Sequence, residues 1–104
     1  MEADVYRFDK TRLDLAREFK ADPLGEHSPD LQYLLHLMRR PSDRPFPCLV
    51  VEEDDERWRL AFLEPGAKSP PRPTEVVFTD LREAEWYVFK LRWRELAGEE
   101  LPID

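Results

Sequence analysis

Apolar positions recur at helical spacing in three stretches of the chain and alternate in one. Leu15, Ala16 and Phe19, with Leu13 at the margin, mark a first helix from about 11 to 21, with Thr11 and Asp14 as a capping pair. Pro23 and Gly25 stop it. Ser28 then stands as an N-cap before Pro29, which suits the first helical position because its missing N–H has no intrahelical partner to lose. Leu31, Leu34, Leu35 and Met38 follow at i, i+3, i+4, i+7, so one face of this second helix is apolar. Arg39 and Arg40 suit its negative C-terminal end, and Pro41 ends it. The period then changes. Cys48 to Val51 is a short, β-branched run, and Trp58, Leu60 and Phe62 alternate with Arg57, Arg59 and Ala61. Together these predict a β-hairpin whose acidic turn, Glu52 to Glu56, lies in solvent. Val76, Val77 and Phe78 add a third strand after an extended, proline-rich surface loop at about 64–74. A third helix starts at Thr79 or Asp80, with Asp80 and Glu83 as a capping-box variant, and runs to Ala97 before Gly98. The expected fold is a single α+β domain over 1–104, order ααβββα, with helices covering one face of a small antiparallel sheet.

The third helix carries two apolar stripes. Leu81, Ala84, Val88 and Leu91 gather on one face, with Tyr87 at its margin, and Trp86, Phe89, Trp93 and Leu96 gather on another, roughly 150° away at helical pitch. One stripe is enough to seat a surface helix on its own domain, and the aliphatic one suits the sheet. The aromatic stripe needs a second cover. Either the first or second helix supplies it, or another protein does, since aromatic anchors beside arginine are typical of interfaces. The interface residues expected on the second account are Trp86, Phe89, Trp93 and Leu96.

Composition narrows the function classes. Ten prolines spread over 104 residues leave proline-free stretches that match the predicted elements. A formal charge of -7 argues against nucleic acid and anionic membrane as partners. No apolar run is long enough to span a bilayer or form a signal-peptide core. The lone Cys48 has no internal disulfide partner, which fits a reducing cytoplasmic location.

No constellation for catalysis emerges. His27 and Ser28 are a base and a hydroxyl, but adjacent side chains seldom point at one another and no acid is placed to orient the histidine. Ser28 has a structural task as a cap, and His27 before it suits a turn-ordering role. Tyr33 and Trp58 beside His27 are the residues that would line a small-ligand pocket. His36 falls opposite the leucine face, as an exposed residue or an interface contact. Two histidines and one cysteine lack metal-ligand spacing, and the 52–56 acidic run lacks the alternating ligands and glycine of a calcium loop. None of the three glycines forms a phosphate-cradling loop. Neither a metal nor another cofactor is therefore expected in this chain.

Pro23-Leu24-Gly25, His27-Ser28-Pro29, Leu31-Gln32 and then Met38-Arg39 resemble the small subunit of N,N-dimethylformamidase. Arg57-Trp58-Arg59-Leu60 is similar to a Trp-bearing strand of that subunit, and Phe78-Thr79, Glu83-Ala84, Val88-Phe89 and Arg92 to its closing helix. The resemblance spans about 22 to 97. It implies a non-catalytic accessory chain bound to a larger one that carries the iron site and hydrolyses the amide. It transfers no catalytic or metal residue to this sequence. The leading expectation is an accessory subunit or interaction domain docking on a larger protein; the alternative is a stand-alone small-molecule-binding or regulatory protein acting as a homodimer.

Overall fold

The computed structural model of the protein describes residues 8–40, 44–52, 56–66 and 70–103. Its elements follow the expected order: α1 (Leu13–Ala21), α2 (Pro29–Met38), β1 (Phe46–Val51), β2 (Trp58–Leu63), β3 (Arg72–Phe78) and α3 (Leu81–Ala97). The fold is α+β. No helix among the described residues is long and apolar enough to cross a membrane.

The helix ends show which local signals hold. Ser28 caps α2, its Oγ accepting from Leu31 N at 3.3 Å, with Pro29 in the first turn. Asp80 caps α3 by accepting from Arg82 N at 2.9 Å. Gly98 ends α3 at φ 77°, a left-handed conformation that a Cβ penalises, and its N–H bonds Arg94 O. The expected Thr11–Asp14 pair does not form. Asp9 Oδ1 accepts from both the N–H and the hydroxyl of Thr11, at 2.9 and 2.6 Å, so α1 begins two residues later, at Leu13, after an N-cap Arg12 that makes no side-chain cap bond. A short aspartate turn thus outcompetes the cap. Asp14 instead meets Arg12, whose guanidinium also reaches Asp30 at 3.1 Å and links the first turns of α1 and α2.

The three strands form one antiparallel sheet in the order β1-β2-β3, with Cys48 opposite Ala61 and Val51 opposite Trp58. Glu52 N donates to Arg57 O across the hairpin end. The acidic turn lies partly outside the described residues, at 53–55. Glu52 itself is half-buried and pairs with Arg59 at 2.8 Å, so it is not a solvated tip residue. β3 is longer than its apolar run and absorbs Arg72 and Pro73 from the expected loop. An edge strand tolerates this proline because its missing N–H need not serve the ladder. The step from Arg59 to Ala61 on β2 is matched by Val77 to Pro73 on β3, which adds two residues to the edge strand. Thr74 fills the break, its Oγ1 donating to Leu60 O and accepting from Val76 N.

α3 is the central layer. Its Ala84 and Val88 are buried on the side that contacts the strands, where Leu60 and Ala61 are also buried. Its Trp86, Phe89 and Trp93 join Leu15, Phe19, Leu31, Leu34, Leu35 and Met38 in one core cluster. Phe19 stacks on Phe89 with ring centroids 4.5 Å apart, and Phe8 meets Trp93 edge-on at 4.9 Å.

Candidate functional site

The aromatic stripe of α3 is not a free surface. Trp93 is 1% exposed, Phe89 2% and Trp86 8%, all against α1 and α2. The expected interface is corrected at these three residues, because two amphipathic helices in the same chain supply the apolar cover that the stripe requires. Leu96 alone of the four stays open to solvent, at 38%.

The turn between α1 and α2 gathers the polar candidates. Gly25 is packed so closely on the Asp22 carboxylate that a Cβ there would collide with it. Both polar groups of Ser28 are engaged by Glu18: its N–H and its hydroxyl donate to the two carboxylate oxygens, each at 2.7 Å. The hydroxyl proton is thus held by a carboxylate and the oxygen by the helix cap, which leaves no histidine-activated nucleophile. His27 sits beside this turn with its ring 5.5 Å from Phe19, and its backbone oxygen accepts from Gln32 Nε2 at 2.8 Å. Its Nδ1 is buried without a hydrogen-bond partner. The ring borders a cleft of about 410 Å³ that Gln32, His36, Arg39 and Glu85 also line. Tyr33 and Trp58 do not join it. Tyr33 is 56% exposed on α2, and Trp58 lies on β2 opposite Phe78. The expected pocket of His27, Tyr33 and Trp58 is therefore not assembled, since helix and sheet candidates sit on opposite sides of α3.

A second cleft opens between the ends of α2 and α3 and the start of β1. It measures about 230 Å³ and is lined by Met38, Arg40, Phe46, Arg92 and Leu96 among others. The Arg92 guanidinium lies over Phe46, its Cζ 4.4 Å from the ring centroid, and its Nη2 donates to Pro47 O at 3.0 Å. Its Nε is buried without a partner. Burial, reinforced by nearby Arg39, pushes its guanidinium below the ordinary arginine range, against the weaker pull of Glu85. Cys48 is half-buried, and burial raises its thiol above the ordinary value, so it is not an activated thiolate. Among the described residues no three His, Cys, Asp or Glu side chains converge closely enough to hold a metal ion.

Glu18 and Arg92 are the polar residues that matter most here and that sequence patterning passed over. Glu18 lies ten positions from its partner. Arg92 enters the sequence reading only as one residue of the resembling closing helix, with no role attached, although an arginine flanking an apolar stripe is the one signal that singles it out.

A family model described as the N,N-dimethylformamidase alpha subunit matches residues 8–101. The chain belongs to this family. The match takes in every helix and strand, so the dimethylformamidase alpha-subunit family shares the whole ααβββα unit rather than one motif of it. No curated protein matches the chain. An alpha subunit implies association with other subunits, and the family places this chain in that setting.

Proposed function

We propose that the chain is a non-catalytic accessory subunit of a dimethylformamidase-like amide hydrolase, bound to a larger chain that holds the metal and the hydrolytic site. The match to the alpha-subunit family over residues 8–101 carries this reading. The geometry supports it: Ser28 is locked to Glu18, Cys48 is half-buried with its thiol pushed up by burial, and the donors needed for a metal do not converge among the described residues. The subunit's own contribution is then structural. It presents a surface of its α+β domain on which the larger chain assembles.

The test is co-expression with the larger chain encoded by the same source, followed by purification through a tag on this one. The expected result is a complex of fixed stoichiometry that hydrolyses N,N-dimethylformamide, with no turnover by this chain alone. A monodisperse homo-oligomer that forms no complex with the larger chain overturns the reading, as does turnover by the isolated chain.

A further inference from the structure

We propose that the cleft between the C-terminal ends of α2 and α3 and the start of β1 is a docking site for an aspartate or glutamate of the larger chain, flanked there by apolar side chains. This rests on the reading of the chain as a subunit of a larger enzyme.

Arg92 is the reason. A half-buried guanidinium ordinarily faces a carboxylate, because taking a cation out of water is unfavourable unless it is paired. Among the described residues Arg92 meets a backbone carbonyl and the face of Phe46, and no carboxylate forms an ion pair with it, Glu85 acting only as a weaker, more distant attraction. The other charges on the cleft do not compensate. Glu95 is taken by Arg44 at 3.1 Å, and Arg40 adds a further positive charge. Among the described residues the cleft of this chain of net charge -7 thus holds two cations, Arg40 and Arg92, without a paired carboxylate. The remaining lining is apolar, from Leu37, Met38, Phe46 and Leu96. A desolvated arginine inside an apolar rim is the recognition chemistry of a buried interfacial ion pair, and a partner's carboxylate completes it.

The same argument makes Arg92 unfavourable to the isolated chain. Arg92→Met keeps the packing stem and removes the unpaired charge. It is expected to leave the thermal midpoint of the isolated chain equal to or above that of wild type. In the complex the substitution is expected to weaken association with the larger chain by about tenfold or more, read by titration calorimetry. Leu96→Asp, at an exposed position, provides a second probe independent of the packing under Arg92 and is expected to weaken association similarly. Val77→Ser, on the far edge strand, serves as a control and is expected to bind as wild type. Wild-type binding by both Arg92→Met and Leu96→Asp overturns the docking site while leaving the subunit reading intact. Failure of the wild-type chain to bind the larger chain overturns both. Loss of self-association with unchanged binding of the larger chain also overturns the assignment, since the cleft would then hold a second copy.

Discussion

Ser28 and Glu18 show how a single long-range contact fixes a turn. The cap itself was legible in Ser28-Pro29, because capping is a local event with a local residue preference. The carboxylate that holds the cap was not, since nothing in a one-dimensional pattern ties residue 18 to residue 28. Removing it strands a backbone N–H and a hydroxyl at a half-buried turn. Glu18→Ala is expected to lower stability by about 1.5–3 kcal/mol, and Ser28→Ala by about 1 kcal/mol. In urea denaturation the two effects should be strongly non-additive in the double variant, and simple additivity would show that Glu18 stabilises the fold by another route. Arg12 gives a pH-dependent case on the same helix. Its hydrogen bonds hold Asp14 below the ordinary aspartate value of 3.8. The depressed folded value means that this contribution is present at neutral pH, begins to fade below the unfolded value and is lost as pH falls through the folded one. Carboxyl NMR titration should place the Asp14 midpoint below that of an unfolded aspartate, and Arg12→Met should return it.

At the scale of elements, α3 is the test of what periodicity can tell. Its two stripes were legible because helical pitch alone separates Trp86, Phe89 and Trp93 from Ala84 and Val88. Which body covers the aromatic stripe was not legible, because a neighbouring helix and a partner protein demand the same spacing of apolar residues. Tertiary packing settles it in favour of α1 and α2, with Phe19 stacked on Phe89. Two residues on one stripe therefore have opposite fates. Trp93→Ala is expected to cost about 3–5 kcal/mol, from lost burial and the cavity left behind. Leu96→Ala, at the exposed end, should stay within about 0.5 kcal/mol in the isolated chain. Equal losses at both positions by chemical denaturation would contradict the packing described here. The sheet teaches a related lesson. The β1–β2 hairpin followed from alternation, whereas the extent of β3 was hidden by Pro73, which reads as a strand breaker until the strand is known to lie at an edge. The bulge at Thr74 was equally hidden, since a two-residue insertion leaves no mark on composition.

For the whole molecule, the arrangement of layers sets how it should come apart. α1 and α2 pack on one side of α3 and the strands on the other, so α3 is shared by both halves of the hydrophobic interior. Neither half has a full core without it. A chain of 104 residues buries too little surface to support two independent units, and loss of α3 from either side exposes the other. Unfolding is therefore expected to be a single cooperative transition. The three tryptophans allow this to be read locally. Trp58 sits on β2, while Trp86 and Trp93 lie in the helical core. In Trp58→Phe, fluorescence reports the helical side; in the Trp86→Phe, Trp93→Phe double variant, it reports the sheet. Within each variant the fluorescence midpoint in urea should coincide with the far-ultraviolet dichroism midpoint of the same variant, even though the double variant as a whole is less stable. A helical signal lost at lower urea than the dichroism in Trp58→Phe would mean that α1 and α2 detach first. The larger chain would then meet a sheet with α3 exposed, and the aromatic stripe would return as a docking surface by local unfolding.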